Sequence, residues 1–177
     1  YALAENIHRN GILIASLAPA RFEAAIETQA REIANQILRK LDYVGTLAIE
    51  FFEIGGMLVV NEVATRVHNS GHWTLDGAET SQFENHLRAG LGMKLGSTRI
   101  SSPTLMVNFI GEIPAEEAFV DLPSARVYRY AKTPAPNRKM GHLNIPVDVR
   151  APMPELVSDV FRRMSRPSPL DHQIDRR

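Results

Sequence analysis

Apolar positions along this chain follow two rhythms, and each predicts a different kind of element. Phe22, Ile26, Ala30, Ile33, Ile37 and Leu41 recur at spacings of four and three, the signature of one helical stripe. Glu23, Glu27, Arg31, Glu32, Arg39 and Lys40 fill the intervening positions, so this helix, opened by Pro19, is amphipathic and packs on a sheet. Elsewhere the period is two, or the apolar run is continuous. Residues 1–7 and 12–17 read as strands around the turn His8-Arg9-Asn10-Gly11. Residues 47–52 and 57–62 read as a hairpin turned by Gly55-Gly56, since paired glycines supply the positive φ that tight hairpin turns require.

Downstream, Ser81 followed three residues later by Glu84 is a capping-box pattern, starting a helix that runs to about Ala89 and ends at Gly90 or Gly92. The stretch from Gly96 to Pro103 shifts to small and polar residues, which places a domain boundary near residue 97. Residues 105–110 form a buried strand, 114–119 one helical turn, 125–132 a strand and 140–147 another. In the 125–132 strand Tyr128 and Tyr130 share a face with Arg126, while Val127 and Ala131 point the other way. A last amphipathic helix runs over 154–164 through Leu156, Val157, Val160 and Phe161, and the Pro/Arg-rich end after Ser165 reads as a frayed tail. The expected class is α+β, with residues 1–97 as one unit and 98–177 as a small β-rich domain closed by the last helix.

Composition narrows the function classes. The 177 residues balance to a formal net charge of +0, so no global basic field draws the chain to nucleic acid or an anionic membrane. There is no cysteine, which removes disulfides, thiol chemistry and Cys-ligated zinc and fits a reducing cytoplasm. No apolar run reaches the roughly 20 residues that span a bilayer. The chain begins with Tyr1 inside an expected strand, with no initiator methionine or signal sequence, and reads as a piece of something longer.

Three groups of residues carry candidate chemistry. Glu50 and Glu62 sit on the two hairpin strands within about two rungs of each other, where cross-strand neighbours lie roughly 5–8 Å apart. Carboxylates that close repel unless a cation lies between them or one holds a proton, and oxygen-only ligation suits magnesium. Two solvent-facing strand positions would produce the same spacing. Next comes Arg66-Val67-His68-Asn69-Ser70-Gly71-His72. The Arg66 fork suits a carboxylate, bicarbonate or phosphate, and His68 and Asn69 can position a small polar substrate that His68 could also deprotonate. Gly71 would allow a close approach to a bound group or a positive φ. Zinc on His68 and His72 fits poorly, because Asn-Ser-Gly disfavours the helix that would align them, and a hydrogen-bonded structural loop has the same composition. The third group, Lys132, Arg138, Lys139 and His142, lies on a loop between two strands and suits a phosphate monoester, although basic loops are commonly just solvated. Trp73 reads as a packing anchor.

Several stretches together resemble one family. Glu5-Asn6-Ile7-His8-Arg9-Asn10-Gly11-Ile12-Leu13, Glu50-Phe51-Phe52-Glu53, Asn61-Glu62-Val63-Ala64, His68-Asn69-Ser70-Gly71-His72-Trp73-Thr74 and Thr80-Ser81-Gln82-Phe83-Glu84-Asn85-His86-Leu87-Arg88-Ala89 resemble the N5-carboxyaminoimidazole ribonucleotide synthetases. These are ATP-grasp enzymes of purine biosynthesis, also described as the ATPase subunit of phosphoribosylaminoimidazole carboxylase. Leu95-Gly96-Ser97-Thr98 and Arg138-Lys139-Met140-Gly141-His142 extend the match.

The resemblance implies the C-terminal lobe of an ATP-grasp fold, an antiparallel sheet with helices on one face, followed by the small β-rich domain. It implies ATP- and bicarbonate-dependent carboxylation of the exocyclic amine of 5-aminoimidazole ribonucleotide through carboxyphosphate. By position, Glu50 and Glu62 match the magnesium ligands that bridge the nucleotide phosphates, and Arg66, His68 and Asn69 match the segment that holds bicarbonate or carboxyphosphate. Lys132, Arg138 and Lys139 match the residues on the substrate's ribose phosphate. The family also implies a homodimer and a separate or fused mutase acting on the product. Thr65 and Val67 replace usual prolines, and Ala135 and Asn137 replace the arginine and glycine expected before Arg138. Family members carry an α/β domain and a phosphate-gripping lid ahead of the point matched by Tyr1, so this chain alone is expected not to turn over ATP. Two rival readings are a non-catalytic binding or dimerisation module built on the same lobe, and a related carboxylase such as a biotin carboxylase. The latter would have asparagine at Ala64 and lack His-Asn-Ser-Gly-His.

Overall fold

The computed structural model describes residues 1–170. Its framework is a five-stranded antiparallel sheet in the order β1-β2-β5-β7-β6, built from Glu5–Arg9 (β1), Ile12–Ala18 (β2), Thr104–Ile110 (β5), Arg126–Arg129 (β6) and Lys139–Pro146 (β7). A separate two-stranded hairpin, Ala48–Ile54 (β3) with Met57–Ala64 (β4), stands beside it. Among the described residues four α-helices accompany the strands: Ala24–Leu41 (α1), Thr74–Gly77 (α2), Gln82–Gly90 (α3) and Met153–Arg163 (α4). All strand pairs are antiparallel and helices are segregated from strands, the expected α+β class. None of the helices is long and apolar enough to cross a membrane among the described residues.

Strands of the N-terminal half are divided between the two sheets. β1 and β2 leave the β3–β4 hairpin and continue into β5, with Ala15 opposite Val107 and Leu17 opposite Leu105. The sheet therefore runs across residue 97. Its two faces are chemically distinct because alternation in β5 and β7 is strict. Leu105, Val107, Phe109, Leu143 and Ile145 enter the main core with Val157 and Val160 of α4. Asn108, His142 and Asn144 alternate onto the opposite face and are still buried, at 2%, 2% and 1% exposure. A buried polar face needs polar cover, and residues 69–78 supply it.

Local signals explain most element boundaries. Asn10 and Gly11 take φ of 50° and 72°, so the β1–β2 turn is only these two residues, and His8 and Arg9 belong to the strand. Gly55 and Gly56 take φ of 59° and 82°, as the hairpin turn demands. The Ser81 hydroxyl accepts the Glu84 N–H at 3.2 Å, capping α3. The first helix starts at Ala24, not at Pro19, because the segment before it stays extended, with Ala20 N–H donating to Leu3 O at 2.8 Å. Its stripe is buried only at Ile26 and Ala30, while Phe22 and Leu41 are exposed. Gln29 of α1 grips the hairpin, its Nε2 donating to Gly56 O at 2.9 Å and its Oε1 accepting Leu58 N–H at 3.2 Å.

Tyr1 lies outside the first strand and is anchored by its ring. It stacks edge-on against Trp73, and its hydroxyl donates to Thr80 O at 2.9 Å. Trp73 is buried with Leu13, Ala18 and Met106, the packing role expected of it. The frayed end does not begin at Ser165. Arg166 pairs with Glu112, Ser168 is buried and Leu170 packs on the main core. The rest of that expected tail, residues 171–177, lies outside the described residues.

Candidate active site

Glu50 and Glu62 are direct Cα partners in the β3–β4 ladder, closer than the two rungs that spacing allowed. Directly opposite residues project to the same side of a hairpin, so both carboxylates face one space. A register shift between Glu50 and Phe51 marks a bulge immediately beside the pair. His8 Nε2 and His68 Nδ1 each lie 3.9 Å from Glu50 Oε1. His8, which sequence reasoning assigned to a turn, is therefore a neighbour of the carboxylates; its position inside the matched Glu5-to-Leu13 stretch was the available signal.

His68 is held below the ordinary imidazole value by burial, opposed by the Glu50 carboxylate and reinforced by the Arg66 guanidinium. It is neutral at pH 7. Its Nδ1 accepts the Ser70 N–H at 3.4 Å and lies 2.8 Å from the Ser70 hydroxyl, which leaves the ring proton on Nε2. The His68 backbone is clamped by the amide of Gln82, buried on α3. Gln82 Oε1 accepts His68 N–H at 2.9 Å and Gln82 Nε2 donates to His68 O at 2.7 Å. Gly71 serves this clamp. Its φ is not positive, and a Cβ there would lie 2.6 Å from Gln82 Oε1.

Asn69 is tied to the sheet. Its Nδ2 donates to Asn108 Oδ1 at 3.0 Å, and its Oδ1 accepts from Asn108 Nδ2 at 2.6 Å. Asn69 Nδ2 also meets His72 Nδ1 at 3.1 Å, and the Tyr130 hydroxyl lies 3.1 Å from His72 Nδ1 and 2.7 Å from His142 Nδ1. Burial pushes His72 down to about 4, with Lys139 and His68 adding to it, and His142 down to about 3, with His72 adding to it; burial also pushes Tyr130 up to about 12. Both imidazoles are neutral and the phenol protonated at any ordinary pH. A second cluster adjoins the first: Asp76 accepts from the Tyr128 hydroxyl at 3.0 Å, from Asn144 Nδ2 at 2.7 Å, and pairs with Arg126 Nε at 3.3 Å. Burial and then Asp76 push Tyr128 up to about 12. Within this network His142 Nε2 and Asn144 Oδ1 are buried with no hydrogen-bond partner among the described residues.

The basic group is split by the structure. Lys139 opens β7, and burial lowers its pKa, opposed by Glu50 and reinforced by Lys132 and Arg66. It therefore belongs electrostatically with the hairpin carboxylates. Lys132 is exposed and stands over the Tyr130 ring, 5.1 Å from its centroid. Arg138 Nη1 donates to Thr133 O at 3.0 Å within its own loop, and Arg66 Nη1 donates to Val67 O at 3.2 Å; both are exposed. His142 is not a loop cation: it lies inside β7, is 2% exposed and is neutral. Strand alternation decides this, since His142 shares the inward polar face with Asn144 while the loop ends before Lys139.

Known proteins resemble this chain closely enough to show its family. Residues 1–83 match the family described as the ATP-grasp domain, and residues 104–151 match the phosphoribosylaminoimidazole carboxylase C-terminal domain. The chain is 51% identical over 150 residues to the N5-carboxyaminoimidazole ribonucleotide synthase of Vibrio cholerae, covering 84% of this chain and 39% of that protein. Against the Pseudomonas aeruginosa synthase it is 43% identical, covering 90% and 44%. This chain belongs to the N5-carboxyaminoimidazole ribonucleotide synthetase family. It spans less than half the length of these curated relatives. Solved structures agree. The Thermus thermophilus synthetase superposes with a TM-score of 0.83 at 46% identity, covering 93% of this chain and 45% of that one. The Aspergillus clavatus synthase, solved in complex with ADP and 5-aminoimidazole ribonucleotide, superposes at 0.79 with 31% identity, covering 92% and 47%.

Proposed function

We propose that this chain forms one wall of the active site of an ATP-dependent ligase that carboxylates 5-aminoimidazole ribonucleotide to N5-carboxyaminoimidazole ribonucleotide in purine biosynthesis. The observation that carries the reading is the Glu50–Glu62 pair, opposite each other on β3–β4 with His68 at 3.9 Å from Glu50. Two carboxylates from adjacent strands are a hard oxygen donor set. A pair of carboxylates leaves further coordination positions to water and phosphate oxygens, the habit of magnesium. In this reading Glu50 and Glu62 hold the magnesium of Mg-ATP, which neutralises charge on the nucleotide phosphates when bound.

Bicarbonate oxygen attacks the γ-phosphorus of ATP, releasing ADP and forming carboxyphosphate. The exocyclic amine then attacks the carboxyl carbon, the bond to the phosphate oxygen breaks, and the amine's proton leaves on the phosphate. Arg66 balances the anion that develops in both steps. His68, neutral with its proton on Nε2, donates a hydrogen bond to that anion. Asn69 lines the same strip. Lys132, Arg138 and Lys139 hold the ribose phosphate and thereby orient the amine. The partly desolvated Lys139, beside the carboxylates, supports a place between the sugar phosphate and the nucleotide. Homodimerisation, and hand-over of the product to a mutase, are proposed on the family resemblance.

Mg-ADP titration tests the assignment. In the full-length synthetase, Glu62→Ala and Glu50→Ala weaken Mg-ADP binding by about tenfold or more. Unchanged affinity in both would remove the hairpin from the nucleotide site. The 177-residue chain by itself is expected to form no ADP from ATP and bicarbonate.

A further inference from the structure

Asn108 lies on β5, in the segment beyond residue 97, yet its closest side-chain partner is Asn69 of the catalytic strip. Which end of each amide faces which is decided by a backbone atom. Leu13 O in β2 can only accept, and Asn108 Nδ2 donates to it at 3.0 Å. That assigns the Asn108 nitrogen. Its second hydrogen then meets Asn69 Oδ1 at 2.6 Å, and Asn108 Oδ1 must accept from Asn69 Nδ2 at 3.0 Å. The remaining Asn69 Nδ2 hydrogen points to His72 Nδ1 at 3.1 Å, which assigns the lone pair to that nitrogen and the His72 proton to Nε2. Both hydrogens of Asn69 are thus consumed inside the protein. One lone pair of Oδ1 remains.

We propose that Asn108 is a positioning residue for the carboxylation, holding the Asn69 amide so that it offers substrate an acceptor and no donor. The proposal rests on the reading of Asn69 as a substrate-facing group. An acceptor repels the unprotonated oxygens of carboxyphosphate and bicarbonate, but it can take an N–H of the exocyclic amine. Asn69 then aims the amine's nitrogen lone pair away from itself and toward the carboxyl carbon, while Arg66 and His68 remain the groups for the anion. Specificity follows from the same polarity: an amine with N–H to donate satisfies Oδ1, whereas a substrate with a carbonyl oxygen in that place sets two lone pairs against each other.

A double-mutant cycle in the full-length synthetase tests this, with Asn69→Ala, Asn108→Leu and the double variant compared for kcat and for the Michaelis constant of the aminoimidazole substrate. Asn108→Leu is expected to lower kcat about tenfold with Mg-ADP affinity unchanged, and to add nothing in the Asn69→Ala background. Losses that multiply in the double variant, with Asn69→Ala itself impaired, overturn the role of Asn108 and leave the function standing. Full turnover in Asn69→Ala overturns the substrate-facing reading of Asn69 and this proposal with it. Side-chain nitrogen NMR of the wild-type protein is the check if Asn108→Leu does not fold. Both Asn69 amide protons should exchange more slowly than those of exposed Asn35 and Asn137, and exchange at the exposed rate overturns the proposal.

Discussion

The side-chain amide of Gln82 pairs with the backbone of His68 as a neighbouring strand would, accepting its N–H at 2.9 Å and donating to its carbonyl at 2.7 Å. α3 thereby sets the height at which the His68 ring stands beside Glu50. Gln82→Leu keeps the volume and removes both bonds, leaving the half-buried His68 N–H unpaired while its carbonyl keeps the Gly71 N–H at 3.0 Å. A stability loss of about 1–3 kcal/mol is expected in urea unfolding. In the full-length protein a much larger loss of kcat than of Mg-ADP affinity should accompany it, because a shift of about 1 Å at a reacting group costs on the order of a hundredfold.

Gly71 depends on the same clamp. A Cβ at this position would lie 2.6 Å from Gln82 Oε1 and 2.8 Å from its Cδ, and Gln82 cannot swing aside without breaking its bonds to His68. Gly71→Ala is expected to destabilise by about 1–3 kcal/mol. The same substitution in Gln82→Ala should cost little, and equal costs in the two backgrounds would show that the clash is not with Gln82.

Charge around His68 can be read without catalysis. Burial lowers its pKa, Glu50 raises it and Arg66 lowers it. Glu50→Gln should therefore move the His68 titration further down, and Arg66→Ala should move it up, by proton NMR of the ring. Shifts of the same sign in the two variants would contradict the arrangement.

Acid should weaken the fold through His72 and His142. Both are neutral when folded, with values of about 4 and about 3 against 6.5 when free. Above pH 6.5 their contribution is complete. As pH falls below 6.5 the unfolded chain takes up protons that the folded chain refuses, so stability drops until the folded values are reached. Between pH 6.5 and pH 5 each imidazole removes roughly 2 kcal/mol. Urea unfolding across that window should show the slope, and His142→Gln should reduce it by one proton. A flat profile would mean that these rings are charged in the fold.

The hairpin and its carboxylates were legible in the sequence because their geometry is local. Gly55-Gly56 admits only a tight turn, which pairs Ile54 with Met57 and brings Glu50 within a rung of Glu62; the bulge beside Glu50 then sets the two directly opposite. Ser81 and Glu84 likewise declare the start of α3 within four residues, and the alternation of β5 and β7 separates an apolar face from a polar one. Contacts between distant segments carried no such mark. Nothing near Ile12 says that β2 pairs with β5, nothing in a basic stretch says that His142 turns inward while Lys139 lies in the field of the carboxylates, and Gln82 and Asn108 look like ordinary polar positions. Those placements follow from strand order and packing, where a buried amide or imidazole must find its partners across the fold. By itself the sequence determined the turns, the caps, the nearness of the two hairpin carboxylates and the family; the tertiary structure decided the bulge that sets Glu50 directly opposite Glu62, which side chains hold the strip from Arg66 to His72, and in which protonation state.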